Sequence, residues 1–222
     1  MIPLRDTQPS HTKPFVTVAL IVLNVAIFLY QFSLDPYELN FFLSHYGLVP
    51  ARFEWADVLT GIFLHGGWMH LIGNMWFLWI YGDNVEDILG HAQYLVFYLL
   101  CGFAASFLQI LFHMESRVPM IGASGAIAGV MGAYIVKFPH SRITTLVPVF
   151  VFLTTMEIPA YIILAYWFVI QFFSGIGSLG HSQLSQGGVA WFAHIGGFLA
   201  GIVLILFMRT RRRWSHWRDS RW

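Results

Sequence analysis

Long apolar runs alternate along this chain with short polar or glycine-rich segments. About 20 predominantly apolar residues without charge are needed to cross a bilayer core. Four such runs lie at 15–34, 61–82, 92–112 and 118–136, the last rich in small residues. A further uncharged stretch, 158–208, is too long for one crossing, and the polar, glycine-rich 174–188 divides it into spans at 158–174 and 188–208. Six membrane-spanning helices are therefore predicted. The segment 143–156 is apolar but short, β-branched and interrupted by Pro148, and it reads as interfacial or re-entrant.

Charge orients these spans. Arg209, Arg211, Arg212, Arg213, Arg218 and Arg221 follow the last run, Arg5 and Lys13 precede the first, and basic residues next to spans favour the cytoplasm. Both termini are thus expected inside, and an even number of crossings leaves only Arg52 and Arg117 of the 12 basic residues outside. The expected layout is a cytoplasmic tail at 1–14, one all-α membrane domain at 15–208 and a basic cytoplasmic tail at 209–222. The first run lacks the short apolar region and small-residue cleavage site of a signal peptide, so it is expected to be retained. A long first outer loop, about 35–60, carries Pro36, Pro50, Trp55 and other aromatics, a composition suited to packing on the membrane interface. With no organelle-targeting segment visible, a plasma or bacterial inner membrane is expected.

Composition agrees. Residues that are 57% apolar and 10% charged cannot cover a water-facing surface, and a formal net charge of +1 gives no reason to expect a nucleic-acid partner. A lone cysteine, Cys101, excludes an internal disulfide framework and a cysteine-based zinc site.

In this topology the second, fourth and sixth spans enter from the same side, and their N-terminal thirds hold the chemistry: His65, His70 and Asn74; Gly122, Ala123, Ser124 and Gly125; His194, Gly196 and Gly197. The steps from Val118 to Ser124 and from Gly188 to His194 are equal, so at about 1.5 Å per residue both side chains are expected about 9 Å into their spans. Gly125 and Gly129, and again Gly197 and Gly201, recur on one helical face, the spacing that lets backbones pack closely in lipid. Close approach is what a serine and an imidazole need to reach hydrogen-bond distance. Ser124 is then the candidate nucleophile and His194 the candidate base, taking the serine proton and returning it to the leaving amine. No acidic residue lies in the core of a predicted span, so a two-residue dyad is expected, its imidazole oriented by packing. His70 and Asn74, one turn apart, would offer donors to an oxyanion, with the backbone N–H of Ser124 as a third.

Plainer readings exist for each residue taken singly: serine packing, or polar hydrogen bonds between helices. Their coincidence at one depth favours the chemical reading. Asp83, Glu86 and Asp87 read as an inner turn capping the third span. His11, His45, His91, His113, His140, His181 and His216 read as solvated, and His65 as support for its loop. The abundant tryptophan and phenylalanine suit lipid contact, and neither a cofactor nor a metal is expected.

Together, His65, His70 and Asn74 at their spacing, then Gly122-Ala123-Ser124-Gly125, then His194 with Gly197 and Gly201, resemble the rhomboid family of intramembrane serine proteases. Gly82 and Glu86 fit the family's turn after the second span, and the likeness covers roughly 15–208. It implies a six-helix rhomboid-like bundle, with Ser124 as nucleophile, His194 as base and Asn74 and His70 as oxyanion partners. It further implies cleavage of transmembrane substrate proteins near the outer end of their span, often beside small residues in helices that unwind readily. The chain departs from the pattern at Ala128, where some members place an aromatic against the histidine, and at Trp55, which is followed by Ala56 rather than arginine. In such an enzyme the 174–188 segment, wettable through Ser178, His181, Ser182, Gln183, Ser185 and Gln186, would act as a lid, and substrate would enter past the fifth span. An inactive rhomboid-like protein that binds membrane clients, or a small transporter lined by His65, His70 and His194, are the alternatives. Against the first, both serine and histidine are present; against the second, no span core has a carboxylate.

Overall fold

The computed structural model describes residues 2–149, 152–178 and 190–211. Most of the segment read as a lid, from His181 to Gln186, and the arginines after Arg211 lie outside the described residues. In chain order the elements are β1 (Ile2–Asp6), α1 (Phe15–Ser33), α2 (Pro36–Tyr46), α3 (Trp55–Thr60), α4 (Trp68–Leu89), α5 (His91–Phe112), α6 (Ser124–Lys137), β2 (Arg142–Val149), β3 (Phe152–Pro159), α7 (Ala160–Ser178) and α8 (Trp191–Phe207). The helices α1 and α4 to α8 correspond to the six predicted spans, and α2 and α3 form the long first loop. By length and hydropathy α1, α5 and α7 each suffice to cross a membrane, while α6 and α8 are apolar but shorter. Val22, Leu29, Phe107, Phe173, Val203 and Phe207 are all more than half exposed on the outside of the bundle. Lipid covers such a surface without the free-energy penalty that water would impose.

Two spans begin later than the apolar runs suggest. The 61–67 segment forms a 3-10 turn at Gly61–Phe63 and a bend at Gly66–Gly67, so α4 starts at Trp68 and ends at Leu89. The chain before α6 is held extended: Leu48 and Met120 exchange backbone hydrogen bonds of 3.1 and 2.7 Å, and Gly122 N–H donates to Gly61 O at 2.9 Å. The run at 118–136 is thus part extended entry and part helix.

The acidic residues after the second span are not a turn. Asp83, Glu86 and Asp87 lie in the last turns of α4, and Glu86 caps α1 rather than α5. Its carboxylate accepts from Val16 N and Thr17 N, both at 2.8 Å, and from Thr17 Oγ1 at 2.7 Å. Those amides belong to the first turn of α1, where helical geometry leaves donors without partners and the dipole favours negative charge. α5 follows directly on Gly90, at φ +78°, whose carbonyl accepts from Tyr94 N–H. His91 Nδ1 lies 2.6 Å from Glu86 Oε1, so this histidine is paired rather than free in solvent.

The described residues of the 143–156 segment are strand. β2 pairs antiparallel with β3, and β1 adds to β2 in a sheet of order β1-β2-β3. Ile143, Thr144, Thr145 and Val147 are the β-branched residues that a pleated strand accommodates better than a helix does. β1 comes from residues expected as a tail. It is tied down by Trp76 Nε1 donating to Pro3 O at 2.6 Å and by Tyr134 O–H donating to Asp6 Oδ2 at 2.5 Å.

Inside the bundle α6 is the central helix, with Ala126, Ile127, Ala128, Val130, Met131, Ala133 and Tyr134 all buried. Its main partner is α8. A Cβ on Gly197 would fall on the Gly125 carbonyl, and one on Gly201 would fall on the Gly129 carbonyl, so only glycine permits this approach.

Candidate active site

Ser124 is the first residue of α6, and His194 lies in the first turn of α8. Both sit closer to their helix starts than the expected 9 Å, because α6 begins only at Ser124 and α8 at Trp191. The backbone contact of Gly197 with Gly125, one turn further on, draws these two ends together. Ser124 Oγ is 2.8 Å from His194 Nε2.

The other imidazole nitrogen has a partner that the sequence reading did not provide. His194 Nδ1 lies 2.6 Å from Oε1 of Gln171, on α7. Histidine and glutamine are both buried, 9% and 6% exposed. Trp167 and Trp191 stand beside the ring, with centroids 5.7 and 6.3 Å away. The imidazole is therefore held by an amide oxygen as well as by packing, which corrects the expectation of packing alone. With Ala128 one turn after the serine, α6 places no aromatic there, and Trp167 brings one to the His194 ring from α7 instead.

On the other side of Ser124, α4 supplies His70 and Asn74. Gly66 N–H donates to His70 Nδ1 at 3.4 Å, which leaves Nε2 to carry the ring proton. Gly122, two residues before the serine, has φ +121°, and a Cβ there would stand 2.7 Å from His70 Nε2 and 3.6 Å from Asn74 Nδ2. Both donors thus border the turn into Ser124, and glycine is required there by conformation and by space. The amides of Ser124, Gly125 and Ala126 precede the first bond of α6, which Ile127 N–H makes to Ala123 O at 3.0 Å. They form the positive end of the helix dipole. A cavity of about 20 Å³, lined in part by Ser106, Ser124, Gly125 and Ala193, adjoins the serine. That is room for about one water molecule.

His65 does more than support its loop. Asn74 Nδ2 lies 3.0 Å from His65 Nε2, a contact that aims the asparagine amide. The backbone of His65 is in turn clamped by Gln31 of α1, which accepts from its N–H at 3.1 Å and donates to its carbonyl at 3.0 Å. Gln31 and Gln171, unlike Asn74, stand apart in the sequence from the histidines they bond, so their spacing carries no sign of the pairing. The available signal was a glutamine inside an apolar run.

Residues 52–211, well over half of the chain, match the rhomboid domain. The chain belongs to the rhomboid family. It is 31% identical to the mitochondrial RHOMBOID-like protein 6 of Arabidopsis thaliana over 213 residues, covering 88% of this chain and 62% of that protein. Over 202 residues it is 28% identical to the mitochondrial Rhomboid protein 1 of Saccharomyces cerevisiae, covering 87% and 53%. With Rhomboid protease GluP of Bacillus subtilis the identity is 34% over 136 residues, 58% of this chain and 26% of that one. The chain therefore spans less than two thirds of each of these relatives. Rhomboid membership and the apolar helices together make it a membrane protein. Within this rhomboid, Ser124, His194, His70, Asn74 and Gln171 all fall in the matched stretch, whereas the Gln31 clamp on His65 comes from the helix before it.

Proposed function

We propose that this rhomboid is an intramembrane serine endopeptidase that hydrolyses peptide bonds of transmembrane substrate proteins. The 2.8 Å approach of Ser124 Oγ to His194 Nε2 at the starts of two buried helices is the observation that carries the reading. Ser124 Oγ attacks the substrate carbonyl carbon as its proton passes to Nε2. The carbonyl oxygen becomes an oxyanion, which takes hydrogen bonds from Asn74 Nδ2, His70 Nε2 and the Ser124 amide at the α6 terminus. Collapse breaks the C–N bond, the amine leaves with the proton from Nε2, and an acyl-serine remains. Water, deprotonated by His194, then releases the acid and regenerates the serine.

The excess of Arg and Lys at the chain ends supports cytoplasmic termini, and hence a site facing the outer side of a bacterial inner or plasma membrane. Among the relatives, GluP is a rhomboid protease, and the Arabidopsis and yeast proteins are mitochondrial. Substrate reaches the serine as an unwound segment, since a peptide bond inside an intact helix is shielded by its own turns.

Labelling of the detergent-solubilised full chain with a fluorophosphonate probe tests the chemistry. The wild type is expected to label, Ser124→Ala not at all, and His194→Ala more slowly by about 10² or more. Equal labelling of all three would end the proposal. Cleavage of a reconstituted single-span substrate by wild type and not by Ser124→Ala separates a protease from a client-binding relative.

A further inference from the structure

We propose that Gln171 is a positioning residue. Its amide oxygen holds His194 in the tautomer that carries the proton on Nδ1, so that the Nε2 lone pair faces the hydroxyl of Ser124. The kinetic part of this inference rests on the protease reading above; the tautomer is a property of the resting protein.

Gln171 sits in α7 between Ile170 and Phe172, in a helix with few other polar side chains. Burying a side-chain amide is unfavourable unless it is hydrogen-bonded, and this one is 6% exposed with His194 Nδ1 at 2.6 Å. Of the two neutral tautomers, only the one with N–H at Nδ1 donates to that oxygen. The other would set two lone pairs against each other at that distance, and it would also point a hydrogen at the serine oxygen from Nε2, where a base needs an acceptor.

Helical spacing shows that the contact is built rather than incidental. Trp167, Gln171 and Gly175 recur every four residues and share one face of α7. Trp167 covers the His194 ring, Gln171 bonds it, and at Gly175 the helices come close enough that a Cβ would stand 3.4 Å from both Trp191 Cβ and Ile195 Cδ1. At that level α7 lies against α8, within reach of a glutamine side chain.

A neutral acceptor also suits the site. A carboxylate in its place would add a second desolvated charge whenever the histidine was protonated, a costly arrangement in an apolar interior unless every oxygen were satisfied. The amide selects the tautomer without that charge. When Nε2 takes the serine proton, the Nδ1 bond persists and strengthens, because its donor is now cationic.

The test combines nitrogen NMR of histidine-labelled full chain in micelles with kinetics on a transmembrane substrate. His194 is assigned by difference from His194→Ala. Wild type is expected to show a protonated Nδ1 and an unprotonated Nε2. Gln171→Met, close in shape but without the acceptor, is expected to mix the tautomers and to lower kcat about 10- to 100-fold with KM little changed. Gln171→Glu, which keeps an acceptor oxygen but adds a desolvated charge, is expected to restore the Nδ1–H tautomer and to recover part of that loss. A wild-type signal from Nε2–H overturns the proposal without any variant, so misfolding of a variant does not protect it. Gln171→Met with unaltered nitrogen signals, or with kcat within twofold of wild type, overturns it as well. If Ser124→Ala cleaves as fast as wild type, the protease reading fails by itself, and the wild-type nitrogen signals still decide this one.

Discussion

Alanine at Gly201 probes the packing that brings the serine and histidine together, from two turns away and without touching either. The new Cβ would fall on the Gly129 carbonyl, with backbone rather than a movable side chain in its path. To restore ordinary van der Waals separation, α6 and α8 must part by roughly 1.5 Å at that level. The Ser124 to His194 distance of 2.8 Å tolerates only about 0.4 Å before it passes the usual limit of a hydrogen bond, near 3.2 Å. If the helices part as rods, the pair is broken. A misplacement of about 1 Å costs on the order of 10² in rate, and overpacking costs about 1–3 kcal/mol in stability. Fluorophosphonate labelling rate and thermal unfolding in detergent are the assays. Gly73→Ala is the control, because nothing lies within 4 Å of a Cβ there and alanine favours helix. Gly201→Ala is expected to label at least about 10²-fold more slowly and to melt lower, while Gly73→Ala matches or exceeds wild type in melting temperature. Gly201→Ala that labels and melts like wild type would refute the argument that glycine contacts set the geometry of the site.

Two further outcomes follow from particular contacts. Asn74→Ala removes one oxyanion donor and is expected to lower kcat by about 10² or more with KM little altered, measured on a transmembrane substrate; a rise in KM alone would mean that Asn74 only binds substrate. The Asp6 carboxyl is pushed up from 3.8 to about 7, chiefly by burial and further by the Asp83 charge, against the hydrogen bond from Tyr134. Because the docked value is the raised one, the stabilisation of β1 on the sheet is fully present below about pH 4 and lost as pH rises through about 7. Hydrogen exchange at residues 2–6 is expected to speed up across that window, and Asp6→Asn to flatten the response; a wild type as flat as the variant would refute the assignment.

Run length and charge alone located the six helices, because lipid leaves a chain no alternative to internally bonded backbone and a run of some 20 apolar residues reports that directly. Ser124, His194, His70 and Asn74 stood out for the same reason: a polar side chain in an apolar run is expensive to keep without a use. The paired glycines were legible too, since four-residue spacing is local. What tertiary structure decided is everything that depends on a distant partner. The exact start of α6 follows from strand-like pairing of Leu48 with Met120. The β1 and β2 pairing joins the two sides of the bundle's sequence. The turn of acidic residues became a cap on α1 because Val16 and Thr17 present free amides beside Glu86. Gln171 became the partner of His194 only once α7 packed on α8, since no local periodicity links residues on separate helices.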